Sequence, residues 1–278
     1  MRLPSLPGFV QHPAPEGGSS ALIVAEAWDG PVRGAGLDRR EGWLDRLAPS
    51  VAGSGRGASA TLALEPGVLR LKALRRGGLA GKLWRDRHAD LDRLLDNLRL
   101  PAACIERGLS TPEPVALLLE SAGRGLYRGW LATREIEQAV DLAAWLRGDR
   151  TDAPIDAAGL DAAMGAVRKM HDIGFEHPDL NLGNLLLRRR AGEDGYESFV
   201  IDLDKGRLHP GALPVALRRR ALLRLERSYR KLFGERGPLD DIERLYRAYA
   251  GGDAELAAAV TSGRTVGRWL MALHRLGW

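Results

Sequence analysis

Cysteine is nearly absent from these 278 residues, where Cys104 stands alone. One thiol cannot close an intrachain disulfide, so the fold must rest on its core, and a reducing compartment fits. Long apolar runs are missing too. No stretch approaches the roughly 20 residues that a spanning helix needs, and the start lacks the basic-then-apolar design of a signal peptide. His and Cys do not gather at metal-ligand spacings, which excludes zinc fingers and ribbons. No internal repeat is visible. A strong charge imbalance is also lacking: 41 Lys and Arg against 36 Asp and Glu leave +5. That excess does not call for nucleic acid; it suits an anionic substrate or an acidic membrane surface. The length allows one large domain or two small lobes with a substantial core.

The most informative stretch runs from Phe175 to Leu208. His177-Pro178-Asp179-Leu180-Asn181-Leu182-Gly183-Asn184 leads into the apolar Leu185-Leu186-Leu187. Farther on, Phe199-Val200-Ile201 leads into Asp202-Leu203-Asp204. Two apolar runs around a charged, Gly-containing segment read as a β-hairpin. Asp179 and Asn184 fall in the loop before its first strand, and Asp202 ends its second. Phosphoryl transfer needs such a set: a carboxylate for the attacking hydroxyl, and an Asn and an Asp to hold Mg²⁺ on ATP. The helix before this stretch is expected from Asp156 to His171, on Leu160, Met164, Val167 and Met170.

Upstream, Gly53, Gly55 and Gly57 form a loop whose backbone N–H groups could approach phosphates. A hairpin follows, turning at Glu65-Pro66-Gly67. Its second strand carries Arg70 and Lys72, which are two residues apart and so share a face. Either could reach the ATP phosphates, and the register favours Lys72. A helix is expected from about Leu83 to Leu98, with Asp96 as the carboxylate for the strand lysine. Strands are expected at Val115–Glu120 and from Tyr127, ending near Glu135 and Ile136, where backbone groups would meet adenine. Later helices are expected around Asp141–Leu146, at the basic segment Pro214–Phe233, and in a helix–loop–helix beyond Pro238.

The order His177-Pro178-Asp179, Asn184, Asp202 resembles the H-R-D-x-x-x-x-N and D-F-G motifs of protein kinases. The departures matter: Asn181 stands two positions after Asp179 where protein kinases carry a basic residue, Asp204 replaces the glycine, and no A-P-E segment follows. A peptide substrate is therefore not expected. HPDLNLGNLLL and IDLDKGR resemble the lipopolysaccharide-kinase group instead, most closely its 3-deoxy-D-manno-octulosonic acid (Kdo) kinases, as do Val68-Leu69-Arg70, Arg76 to Leu83, and Arg224 to Lys231.

That resemblance implies an α+β, protein-kinase-like bilobal fold, with a small β-rich lobe over residues 21–134 and a larger helical lobe over 135–278. Residues 1–20 read as a loosely ordered arm. It also implies ATP and Mg²⁺, a lipid-linked Kdo acceptor such as a lipid A precursor, and work at the anionic cytoplasmic face of a bacterial inner membrane. Asn181, Asp204, Arg75, Arg76, Lys82 and the Arg218–Arg220 run are candidates for touching that acceptor. The rivals are a heptose kinase of the same group, an aminoglycoside-type kinase, and a pseudokinase that binds nucleotide without turnover. The complete set of Lys72, Asp179, Asn184 and Asp202 speaks against the last.

Overall fold

A computed structural model describes residues 3–13, 19–48, 59–75, 86–148, 157–192, 195–234, 239 and 242–262. The chain divides into two compact units, Met1–Ala103 with Pro112–Glu137 and Cys104–Thr111 with Gln138–Trp278.

In the first unit the order is β1 (Phe9–Pro13), β2 (Ser20–Ala25), α1 (Asp29–Gly34), α2 (Arg40–Leu47), β3 (Ser59–Leu64), β4 (Gly67–Ala73), α3 (Leu91–Glu106), β5 (Pro114–Ser121) and β6 (Tyr127–Arg134). The six strands make one sheet in the order β1-β2-β5-β6-β4-β3, antiparallel throughout. Its central strands β2 and β5 read as nearly unbroken apolar runs because both faces are covered. Successive side chains point to opposite faces. Leu22, Val24 and Leu118 join Trp28, Val32 and Trp43 on one side. Ile23, Leu117 and Leu119 join Leu94, Leu95 and Leu98 of α3 on the other.

Three elements of this unit differ from expectation. Part of the supposed arm is a strand, since Phe9 to Pro13 pairs with Ala25 to Ala21. The tryptophan layer of α1 and α2 carried no periodic signal, because six- and eight-residue helices are too short to build one. Burial of Trp43 orders it, and the indole N–H donates to the Leu37 carbonyl at 2.7 Å, which satisfies its polar edge. Helix α3 begins at Leu91, where the Asp90 carboxylate accepts the Arg93 N–H at 3.1 Å as an N-terminal cap. It then runs through Pro101 to Glu106.

The second unit contains β7 (Val140–Asp141), α4 (Leu142–Arg147), α5 (Ala157–Asp172), β8 (Phe175–Glu176), β9 (Leu185–Arg189), β10 (Tyr196–Val200), β11 (Arg207–Leu208), α6 (Val215–Phe233), α7 (Glu243–Ala250) and α8 (Ala254–Thr261). The hairpin of β9 and β10 pairs Leu185 with Val200. The helix α5 buries Leu160, Met164, Val167 and Met170 along the stripe its spacing gave. The basic helix α6 departs from a simple solvated face. Arg218 is buried, donating to the Leu213 carbonyl at 2.8 Å, to Asp172 at 2.7 Å and to the Tyr249 hydroxyl at 3.1 Å. Arg219 donates to the Ala259 carbonyl at 2.7 Å and to Ser262. Both charges serve the fold.

The Tyr249 hydroxyl accepts from Arg218 and lies 2.9 Å from Nδ1 of the buried His171 imidazole. Burial, with Arg218 and His177 nearby, pushes its pKa down to about 3. An unfolded His171 takes up its proton near pH 6.5. Between those values the unfolded chain binds more protons, so stability present above pH 6.5 drains away as pH falls toward 3. Denaturant midpoints measured across this range should show that decline, and it should be shallower in His171→Leu, although that variant starts less stable. Equal slopes would take His171 out of the acid response.

Candidate active site

His177 is the pivot of the loop between β8 and β9. Its ring is 1% exposed, with Nε2 3.1 Å from the Ile201 carbonyl and Nδ1 3.2 Å from the Asp179 amide N. The amide N–H can only donate, so Nδ1 accepts and the ring proton sits on Nε2. Burial lowers the pKa of His177, against the raising effects of the Ile201 carbonyl and of Asp202, Asp179 and Asp204. One neutral side chain thus ties the backbone of Asp179 to the residue before Asp202.

The Asp179 carbonyl then accepts two amides, Asn181 Nδ2 and Asn184 Nδ2, both at 2.9 Å. Asn181 Oδ1 accepts the Gly183 N–H at 2.9 Å, so both ends of that side chain shape the loop. Asn181 thus helps to position the loop. The Asn184 carbonyl accepts the Ile201 N–H at 3.0 Å, and Ser228 of α6 accepts the Leu182 N–H at 3.3 Å. Asp179 and Asp202 keep exposed side chains above this network. Asp204 follows in a tight turn, half-buried.

Asp202 has φ 60° and ψ 50°, a left-handed conformation that costs a non-glycine residue roughly 1–2 kcal/mol. Such strain persists where surrounding contacts over-determine it, and it gathers at functional sites. Beside it, Gly206 is required by contact: a Cβ there would lie 2.0 Å from the Phe175 ring. Sequence reasoning also missed the ties around the short β8–β11 pair. His209 Nε2 lies 3.1 Å from Glu176, and Arg107 donates to the carbonyls of Ile173 at 2.9 Å and His209 at 3.0 Å. These join residues up to 102 positions apart and leave no local pattern.

In the first unit, Leu69 and Leu71 of β4 are buried while Arg70 and Lys72 leave the other face. Arg70 forms a bidentate pair with Glu135, at 2.5 and 2.6 Å, and those hydrogen bonds raise its pKa. Arg70 is thereby committed to Glu135. The Glu135 N–H donates to the Val68 carbonyl at 2.9 Å, fixing the end of β6. Asp96 Oδ1 lies 3.9 Å from Arg99. Arg75 is exposed at the end of β4. Gly53, Gly55, Gly57, Arg76 and Lys82 lie outside the described residues.

The donor set fits a hard cation. Asn184 Nδ2 is spent on the Asp179 carbonyl, which leaves its Oδ1 and the Asp202 carboxylate as the oxygen donors that would hold the ion. Oxygen donors of this kind suit Mg²⁺. The strained backbone at the exposed Asp202 gives a prediction. Asp202→Gly should fold at least as stably as the parent, whereas Asp202→Val should lose about 1–2 kcal/mol in denaturant unfolding. Both should lose Mg²⁺-dependent nucleotide binding. Equal stability of the two variants would contradict the strain.

Comparison with known proteins agrees with this geometry. The lipopolysaccharide kinase (Kdo/WaaP) family matches residues 42–249. The 3-deoxy-D-manno-octulosonic acid kinase of Xanthomonas oryzae pv. oryzae (strain PXO99A) is 34% identical over 222 residues, 77% of this chain and 84% of that protein. Its namesake from Xylella fastidiosa (strain M12) is 32% identical over 214 residues, 74% of this chain and 81% of that one. Among solved structures, one of WaaP in complex with acyl carrier protein aligns with TM-score 0.51 at 20% identity, covering 86% of this chain and 95% of that one. The fold is therefore the α+β, protein-kinase-like one that the motifs implied. On the extent of the match and the order of its motifs, the chain belongs to the lipopolysaccharide kinase (Kdo/WaaP) family.

Proposed function

We propose that this kinase transfers one phosphate from ATP to a hydroxyl of Kdo in the lipopolysaccharide inner core, with a Kdo-bearing lipid A precursor as acceptor. The observation that carries the reading is the hydrogen-bonded loop that holds Asp179, Asn184 and Asp202 in register. The relatives that match it over most of its length are named for the same activity.

In this reading the Asp179 carboxylate orients the acceptor hydroxyl and takes its proton. The hydroxyl oxygen bonds to the γ-phosphorus as the bond to the bridging oxygen breaks, and ADP leaves. Lys72 holds the α- and β-phosphates with the glycine loop of Gly53, Gly55 and Gly57, and Asp96 is the helix carboxylate assigned to Lys72. Backbone at Glu135 and Ile136 meets adenine. A Mg²⁺ ion held by Asn184 and Asp202 would neutralise charge on the phosphates. The acceptor is multiply anionic, and Arg75, Arg76 and Lys82 are assigned to its carboxylate and phosphate groups through charge-assisted hydrogen bonds. Asp204 is assigned to the acceptor's hydroxyls. The acyl chains of that lipid place the work at the cytoplasmic face of the inner membrane, with the enzyme peripheral to it. Among the described residues no helix is long and apolar enough to cross a membrane.

Purified protein with Mg·ATP should phosphorylate Kdo-lipid A and leave an aminoglycoside and a generic peptide untouched. Asp179→Asn should keep its nucleotide affinity and lose turnover by roughly 10²–10⁴-fold. Phosphate on the heptose of a heptosylated core alone would move the assignment to the sister activity. Phosphate on the aminoglycoside or peptide alone would overturn the reading.

A further inference from the structure

On the surface of the second unit, α5 and α7 enclose a groove of about 590 Å³ that plays no part in the loop around His177. Arg168, Arg244 and Arg247 line it, opposed by a single carboxylate, Asp161. Its α5 wall is open because Gly165 has no side chain, and the space beside it is empty within 4 Å of where a Cβ would stand.

The three guanidiniums are not equivalent. Arg168 is a structural cation. It donates to the Ala250 carbonyl and lies 3.3 Å from Asp253 and 3.8 Å from Asp172. Those contacts freeze it in place, so it costs little further entropy to present its remaining edge to a ligand. Gly251 makes room for it: the backbone there is left-handed, at φ +57°, and a Cβ would sit 3.3 Å from Arg168 Nη1. Arg244 differs, because among the described residues no carboxylate pairs with it. Arg247 is exposed on the same helix, three residues on, and therefore on the same face. A solvated charge run would spread such residues over a convex helix surface. Here they line one concavity.

The same side of α5 continues into a smaller groove of about 250 Å³ that also includes Gly165. Lys169 and Arg190 line it with Ser198, whose hydroxyl is buried without a hydrogen-bond partner among the described residues. Cations thus flank Gly165 on both sides.

We infer that the groove between α5 and α7 binds a phosphate group through Arg168, Arg244 and Arg247. The phosphate is either free or carried on a lipid headgroup. Planar guanidiniums match phosphate oxygens in bidentate geometry, and several on one groove suit a dianionic or clustered phosphate. This inference does not depend on the kinase reading, because none of its residues belongs to the loop or to β4.

The test uses the full chain and Arg244→Gln/Arg247→Gln, which leaves the structural Arg168 intact. Inorganic phosphate is titrated by calorimetry with the nucleotide site saturated by a non-hydrolysable ATP analogue. Separately, protein is sedimented with vesicles of phosphatidylcholine alone or with phosphatidylglycerol at about one part in three. The parent should bind phosphate saturably, and each lost arginine should weaken it about tenfold or more, with ATP turnover on soluble Kdo unchanged. Vesicle binding that needs phosphatidylglycerol and is lost in the double variant assigns the site to headgroups; phosphate binding without vesicle binding assigns it to the free anion. Equal binding by parent and variant in both arms, or by neither, overturns the inference. If the double variant misfolds, Arg244→Gln alone carries the test, with Arg244→Lys as the charge-keeping control.

Discussion

A neutral imidazole holds the catalytic half of this protein together. With Nδ1 accepting from the Asp179 N–H and Nε2 donating to the Ile201 carbonyl, His177 joins a loop to the residue just after β10, 24 positions away. Only the neutral ring can do both, since a protonated Nδ1 would face an N–H donor with another. Burial is what keeps it neutral. The rest of the loop builds on that bridge: the doubly accepting Asp179 carbonyl, the Asn184–Ile201 backbone bond and the strained turn at Asp202. Exposed carboxylates thus stand on a fully hydrogen-bonded base, which is how a loop can carry chemistry without losing its geometry.

The same economy governs the charges. A sequence with 41 basic residues invites a reading of broad basic surfaces, yet several of these cations are structural ties. Arg70 locks Glu135, Arg218 joins α6 to Asp172 and Tyr249, and Arg168 ties α5 to Ala250 and Asp253. Glu226 is their acidic counterpart, 2% exposed, between Arg230 at 2.9 Å and the Tyr246 hydroxyl at 2.8 Å. Removing a partner of the buried Arg218 or Glu226 leaves a buried charge uncompensated. Mutating arginines one by one for substrate binding would therefore mix lost docking with lost fold. The distinction between fixed and uncommitted cations must come first.

The catalytic stretch was legible because its chemistry is local. Histidine, aspartate and asparagine within eight positions, each beside an apolar strand, leave few ways to fold, and the hairpin of β9 and β10 follows from its alternation. The hairpin of β3 and β4 was legible for the same reason. What escaped was decided by distance. Nothing near Arg107 announces the carbonyls of Ile173 and His209, and nothing near Arg218 announces Tyr249. Short helices such as α1 and α2 give no period, so the tryptophans that anchor them read only as scattered apolar residues. The start of α3 turned on one cap, Asp90, among several aspartates of equal local merit. The bonds of the Asn181 amide to its own loop were not legible from its motif position either.

The central claim is that this geometry serves phosphorylation of Kdo in cells. Mass spectrometry of lipid A–core from the source bacterium, with the gene intact, deleted, and restored as Asp179→Asn, tests it most directly. The account predicts one phosphate on Kdo in the intact strain, its absence on deletion, and no recovery with Asp179→Asn. Kdo phosphorylation that persists unchanged in the deletion strain, or returns in full with Asp179→Asn, would contradict it.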